Sequence, residues 1–127
     1  MQKIGQVIVK AIHLKCERDE NGFLKNLKII NRGGILYDSG NWDMHVSEAE
    51  SLVGGWLYLH PAKKKLSEYG GKIVSWQKIV DEDKAHSERV VFKFEAKKQA
   101  QGKKWRGKNH TMAWQSGVVE ADYDHEK

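Results

Sequence analysis

Alternation of apolar and polar residues, the pattern of a β-strand with one buried face, recurs along this chain. Residues 4–14 (IGQVIVKAIHL) are rich in β-branched residues and predict a first strand. Residues 89–96 (RVVFKFEA) set Val90, Phe92 and Phe94 on one face of another strand. Residues 111–123 (TMAWQSGVVEADY) predict a final strand with a bulge at Gly117.

The most informative stretch is residues 54–76 (GGWLYLHPAKKKLSEYGGKIVSW). It predicts a strand at 56–60, a lysine-rich loop, and a second strand that begins at 72 and continues beyond the stretch to 80. In the first of these strands, Leu57 and Leu59 face a core, while Trp56, Tyr58 and His60 share the opposite face. Each of those three side chains has a polar tip, which favours the wall of a wet groove. The alternative is that Trp56 and Tyr58 form a second buried layer.

One helix is predicted between the strands. Residues 47–50 (SEAE) match a capping box, in which Ser47 caps a helix that runs to about residue 53. Gly54 and Gly55 then favour its end. Residues 38–43 (DSGNWD) predict a loop with Trp42 at its tip.

These elements predict a mainly β (α+β) fold in a single domain, residues 1–127. The hairpin spacing favours a small antiparallel β-barrel, closed or partly open, of five to seven strands with one or two short helices. The alternation predicts a core containing Leu57, Leu59, Ile73, Val90, Phe92 and Phe94.

Residues 55–60 (GWLYLH) and 70–76 (GGKIVSW), which follow the predicted helix and precede RVVFKFE, resemble PUA-like barrels of the EVE and ASCH kind. The resemblance covers residues 47–96. Trp56 replaces the aspartate often found after the leading glycine. The resemblance implies a barrel that binds RNA or modified bases in an aromatic-lined pocket, and some ASCH-like members are enzymes.

Composition narrows the chemistry. The only cysteine, Cys16, excludes an intrachain disulfide, and the six histidines lack metal-ligand spacing, so we predict no metal and no cofactor. No Gly-x-Ser-x-Gly motif occurs, and we predict no catalytic residues. A hydrolase or nuclease that uses His60 or His110 with Glu120 is the less favoured alternative. Without a leader or membrane-spanning segment, we expect a cytoplasmic protein and no membrane partner.

Charge adds a candidate partner. The net charge is +5, and residues 97–110 carry six Lys or Arg and no acid. With the block at 63–65, two basic loops could contact nucleic-acid phosphates. The predicted backbone contacts are Lys63, Lys64, Lys65, Lys103, Lys104, Trp105, Arg106 and Lys108. The alternatives are solvated lysine loops and a Trp105 that folds back to anchor its loop.

Five tryptophans in 127 residues suggest a site for a planar group. Small or polar neighbours of Trp76 and Trp114 leave room for a ring and supply hydrogen-bonding groups. The predicted pocket comprises Trp56, Tyr58, His60, Ser75, Trp76, Trp114 and Ser116. We therefore predict a non-catalytic domain that binds nucleic acid, either RNA or a modified or unpaired base. A barrel that binds a small planar ligand and a homodimer whose interface is the tryptophan face are the alternatives.

Overall fold

The computed structural model describes residues 9–31, 33, 35–80, 88–108 and 114–126. Residues 4–8 of the predicted first strand and residues 111–113 of the predicted final strand lie outside the described residues. The strands are β1 (Lys10–Lys15), β2 (Leu27–Ile29), β3 (Leu36–Trp42), β4 (Trp56–His60), β5 (Tyr69–Val80), β6 (Glu88–Ala96) and β7 (Gln115–Glu120). The helices are α1 (Val46–Ser51) and two 3-10 helices, η1 (Lys98–Ala100) and η2 (Asp124–Glu126).

The seven strands form one sheet in the order β2-β3-β6-β5-β4-β1-β7. The prediction of a mainly β fold is confirmed. The prediction of a purely antiparallel arrangement is wrong for one pair, because β1 and β4 run parallel with Ala11 opposite Trp56 and Lys15 opposite His60. Parallel neighbours need a long crossover, which here contains β2, β3 and α1. Among the described strands, β2 and β7 end the sheet without pairing to each other, so the sheet is not closed.

The main core lies on one face of this sheet. All six predicted core residues are buried, which confirms the alternation in β4, β5 and β6. Ala49 of helix α1 and its C-cap residue Leu52 also belong to this core. Within the described residues, no helix is long and apolar enough to cross a membrane.

The predicted helix is present, but the predicted cap is wrong. Helix α1 begins at Val46, with His45 as its N-cap and no side-chain capping bond, so Ser47 lies inside the first turn. The backbone N–H of Glu48 bonds to the His45 carbonyl at 3.0 Å. Gly54 ends the segment as expected, because its φ of 84° suits a residue without a Cβ.

The predicted loop at 38–43 is also wrong. Strand β3 continues to Trp42, which is buried and donates from Nε1 to the Ser39 hydroxyl at 3.1 Å. Ser39 pairs with Phe92, and Trp42 pairs with Val90 of β6. These long-range pairings override the turn-forming composition of the segment, since β-propensity depends strongly on tertiary context.

Candidate functional site

Strand β4 is buried on both faces. Leu57 and Leu59 enter the main core, while Trp56, Tyr58 and His60 belong to a second layer that also contains Ala11 and Ala100. Trp56 is only 5% exposed, and Tyr58 and His60 are fully buried. The structure therefore has the second buried layer that the sequence left as the alternative to an open groove.

A directional chain of hydrogen bonds crosses this layer. His60 Nδ1 lies 2.8 Å from the Lys65 carbonyl, which can only accept, so Nδ1 carries the proton. His60 Nε2 then accepts from His13 Nδ1 at 2.7 Å, and His13 Nε2 accepts from Arg106 Nε at 3.0 Å. We call Arg106, His13, His60 and the Lys65 carbonyl the histidine chain. Its geometry fixes both imidazoles as neutral Nδ1–H tautomers.

The surroundings of the histidine chain favour the same protonation state. Burial is the main cause that lowers the pKa of His13 to about 3, and repulsion between a protonated His13 and His60 or Arg106 adds to it. Burial also lowers the pKa of His60. A second proton on either ring would face an N–H donor instead of an acceptor, so both rings stay neutral near neutral pH.

Arg106, the first member of the histidine chain, also bonds the Glu126 carboxylate, which has no exposed surface. Its Oε1 accepts from Arg106 at 2.9 Å and from the backbone N–H groups of Asp122 and Tyr123 at 2.9 and 3.1 Å. Its Oε2 accepts from Arg106 at 2.6 Å and from the Tyr58 hydroxyl at 2.5 Å. Burial alone would raise the pKa of Glu126, but these donors hold it at about 2.

Tyr58 connects the C-terminal segment to β4. Because its hydroxyl proton goes to Glu126, its oxygen accepts from His125 Nε2 at 2.7 Å. Burial, and then the bond to Glu126, raise the pKa of Tyr58. The His125 ring also meets the edge of Trp56 at 4.6 Å between centroids. Helix η2 therefore covers the face of β4 that the sequence predicted as a pocket wall.

The sequence did not point to His13, Tyr123, His125 or Glu126 as members of this network. Alternation in β1 gave one usable signal, since it places the His13 side chain on the face of the strand opposite to that of Ile12 and Leu14. The three C-terminal residues carry no such pattern, because only the path of the chain brings them to β4. Within the described residues, no group of three or more His, Cys, Asp or Glu could hold a metal ion.

Arg106 and Trp105 hold the second basic loop on the sheet. The Arg106 guanidinium bonds His13 and Glu126 and stacks on Tyr123 at 4.3 Å, so it is occupied within the protein. Trp105 donates from Nε1 to the Lys108 carbonyl at 2.7 Å, and its ring lies 5.2 Å from that of His60. Trp105 thus takes the anchoring role that was its alternative, and Arg106 acts as a second anchor.

The two basic loops are joined to each other through Ser67, which is buried. The Ser67 hydroxyl donates to the Ala100 carbonyl at 2.6 Å and accepts from the Lys103 N–H at 3.0 Å. Its backbone N–H bonds to the Lys103 carbonyl, and its carbonyl accepts from the Gly102 N–H. The loop at 61–68 and the loop at 97–108 therefore form one continuous surface.

That surface carries exposed ammonium groups, which we call the lysine patch: Lys64, Lys65, Lys98 and Lys104. Lys103 is partly covered, with Nζ 5.2 Å above the Tyr123 ring. Lys63 makes contacts of its own. The structure thus brings the two predicted lysine blocks to one place.

Trp114 is half exposed, at 50%, beside this region. Its carbonyl accepts from the Lys15 N–H at 2.8 Å, and the Lys15 ammonium lies 4.7 Å above its ring. Lys15 is paired with His60, the residue that precedes the first basic loop. At about 4.8 Å per strand, Trp114 and His60 are about 10 Å apart across β1.

The remaining pocket residues lie on other surfaces. Trp76 is half-buried and packs against the main core. Ser75 is paired with Lys93, on the opposite side of β5 from Trp76. Ser116 is buried in the second layer, where its hydroxyl accepts from the His13 N–H at 2.9 Å. The predicted pocket residues are therefore divided among the main core, the second layer and the exposed end of the sheet.

The bulge predicted at Gly117 explains the position of Ser116. Two residues of β7, Ser116 and Gly117, lie opposite His13 of β1, and Gly117 has a φ of 74°. Gly107 passes so close that a Cβ there would lie 2.6 Å from the Ser116 carbonyl. Glycine at 107 therefore lets the second basic loop close on β7.

Comparisons of the chain with protein-family models, with curated proteins and with solved structures found no match. Its function is therefore inferred from the contacts of its own residues.

Proposed function

We propose that this protein is a non-catalytic domain that binds single-stranded nucleic acid on the lysine patch. The observation that carries the proposal is the joining of the two basic loops through Ser67. Two lysine blocks that are separate in sequence form one surface, and phosphate contacts by clustered cations supply most sequence-independent affinity for nucleic acid.

Three glutamates of this region are paired with cations outside the patch. Glu68 forms an ion pair with Arg18, and Glu126 is buried against Arg106. Glu95 pairs with Lys97, which is outside the defined patch. The four patch lysines therefore keep their charge for phosphates.

Trp114 supplies the aromatic part of the proposed site. A half-exposed indole beside Lys15 offers a face on which an unpaired base can stack, and such platforms accept any base. The buried histidines favour binding over catalysis, because each nitrogen of His13 and His60 is already engaged. A general acid or base needs a nitrogen within reach of substrate.

We also propose that the domain is a partly open barrel of the PUA-like kind. Support comes from the order α1, β4, β5, β6 and from the glycine pairs before β4 and near the start of β5. A Cβ on Gly70 would overlap the Leu57 carbonyl, so β4 and β5 approach closely at the motif that carries the resemblance.

Replacing Lys64, Lys65 and Lys104 together by glutamine should weaken binding of a single-stranded oligonucleotide and reduce its salt dependence. For a single strand, removing one lysine–phosphate ion pair lowers the slope of log K against log salt by about 0.7. Filter binding or fluorescence anisotropy at several salt concentrations measures both quantities.

The matched control replaces Lys25, Lys28 and Lys93, which lie outside the patch, by glutamine. It removes the same net charge, so an equal reduction of affinity in both variants would assign binding to overall charge and reject the patch. The melting temperature of either variant should change little, because all of these lysines except the partly buried Lys93 are exposed, and exposed charges contribute little to stability.

Trp114→Ala should weaken oligonucleotide binding by about 1–3 kcal/mol, the usual effect of removing one base–aromatic stack. Folding stability should change much less, because half of the indole surface is exposed. Anisotropy and thermal melting of the same sample separate the two effects. A large loss of stability with unchanged affinity per folded molecule would make Trp114 a structural residue.

A further inference from the structure

An open cleft at the surface lies outside the lysine patch. It has a volume of about 630 Å³ and lies between α1, the end of the second basic loop and the outer edge of β7. The residues that matter for its chemistry are Lys10, Ser47, Glu48, Lys108, Val118 and Val119.

Two lysines, Lys10 and Lys108, line this cleft. Within the described part of the chain, neither of them forms an ion pair, although Lys10 lies opposite Glu120 in the β1–β7 pair. Two lysines in the lining of one cleft favour an anion, since a negative charge bound there would be attracted by both ammonium groups.

The backbone holds Lys108 in place. Its N–H bonds to the Ser116 carbonyl at 2.9 Å, and its carbonyl accepts from Trp105 at 2.7 Å. The Lys108 stem runs past Gly117, with its Cε 3.7 Å from the position that a Cβ on Gly117 would take. Lys10 belongs to β1, which is paired on both sides. The backbone that carries each of the two lysine side chains is therefore held by hydrogen bonds.

The rest of the lining selects among anions. Val118 and Val119 give the edge of β7 an apolar wall, one valine from each face of the strand, because Val118 packs against the main core and Val119 against the second layer. Glu48 adds a carboxylate beside the hydroxyl of Ser47. A bare phosphate would gain nothing from the apolar wall and would be repelled by Glu48. The ligand that fits has a phosphate at one end, an apolar flat body, and hydroxyl or amino donors that Glu48 can accept.

We infer that this cleft binds a nucleoside monophosphate unit, with its phosphate between Lys10 and Lys108 and its base or sugar against Val118 and Val119. The unit is either a free nucleotide or the phosphorylated end of a strand, because both present the same groups. This site is separate from the lysine patch and does not depend on binding there.

The test is a titration of the ¹⁵N-labelled protein with AMP, GMP, CMP and UMP, with the four nucleosides and inorganic phosphate as comparisons. At least one nucleotide should shift the amide signals of Lys108 and residues 117–119, with at least tenfold higher affinity than its nucleoside or inorganic phosphate. Equal affinity for inorganic phosphate, or no shift with any nucleotide at millimolar concentration, would overturn the inference.

Variants locate the site. Lys10→Gln with Lys108→Gln should lower nucleotide affinity at least tenfold, while the control pair Lys28→Gln and Lys93→Gln should leave it unchanged. Glu48→Gln should reduce the ratio of nucleotide to phosphate affinity at least threefold. An unchanged nucleotide affinity in the first variant, with a native-like spectrum, would place the ligand elsewhere and reject the cleft.

Oligonucleotides with and without a terminal phosphate distinguish the two sources. If the terminal phosphate raises the affinity, and this increase disappears in the variant with Lys10→Gln and Lys108→Gln, the ligand is the end of a strand. If the terminal phosphate leaves the affinity unchanged, the ligand is the free nucleotide. Nucleotide binding that persists when strand binding is absent would reject the proposed function and retain this site. Strand binding without any nucleotide binding would reject this site alone.

Discussion

Arg106→Met should destabilise the protein by about 3–5 kcal/mol, the usual cost of removing one partner of a buried ion pair. Glu126 has no exposed surface and would lose two of its five hydrogen-bond donors, both of them charged. Urea denaturation at pH 7.5 measures the change in the free energy of unfolding. The loss should be large because the carboxylate would remain buried with no cation to compensate it.

Two controls interpret this result. Arg18→Met removes one partner of the exposed Arg18–Glu68 pair and should cost under about 1 kcal/mol. The double variant Arg106→Met, Glu126→Leu removes both buried charges and should be more stable than Arg106→Met alone. If Arg106→Met costs no more than Arg18→Met, the pair contributes far less than its burial implies.

Stability should fall as the pH is lowered below 6.5, by about 1.4 kcal/mol per pH unit for each histidine that stays neutral in the folded state. The folded pKa of His13 is about 3 against an ordinary value of 6.5, so the unfolded chain takes up the proton first. The contribution of His13 is therefore complete above pH 6.5 and is lost between pH 6.5 and 3. By pH 4.5 the loss from His13 alone reaches about 3 kcal/mol.

Other groups add to the same trend. The pKa of His60 is lowered as well, so His60 acts in the same direction. The pKa of Glu126 is lowered from 4.5 to about 2, and its contribution is lost only below pH 4.5. Measurements between pH 7.5 and 4.5 therefore report mainly on the histidines.

Urea unfolding at four pH values, with His13→Asn and the exposed His45→Asn as a matched pair, checks this origin. The asparagine at 13 keeps a donor near the position of Nδ1 but cannot titrate. The number of protons taken up on unfolding, which sets the slope of stability against pH, should therefore fall by about one. An equal fall in the His45→Asn variant would show that the effect is not specific to the buried ring. Stability that stays constant from pH 7.5 to 4.5 in the native protein would show that the buried imidazoles titrate in the folded state.

The same network shapes the proposed binding surface. His60 holds the first basic loop through the Lys65 carbonyl, and Arg106 holds the second through His13 and Glu126. A change that breaks the histidine chain should therefore disturb the lysine patch as well as the fold. The buried layer supports binding by positioning the patch.

The sequence by itself determined the parts of this fold that repeat locally. Alternation at a period of two placed Leu57, Leu59, Val90, Phe92 and Phe94 in the main core, because side chains of a strand point alternately to its two faces. It also separated Trp56, Tyr58 and His60 from the leucines of β4 and located the bulge at Gly117. Short apolar runs and a glycine that needs a positive φ carry this information within a few residues.

Only the tertiary structure decided what covers the second face of β4. Residues that are far apart in the sequence, His13, Arg106 and Glu126, meet there because β1 pairs with β4 and the C-terminal segment folds over both. Trp105 and Arg106, which were predicted as nucleic-acid contacts, hold the second basic loop on the sheet through these contacts. No local pattern encodes these contacts, since the buried Glu126 needs the distant donors Arg106 and Tyr58 in addition to the N–H groups of its own segment.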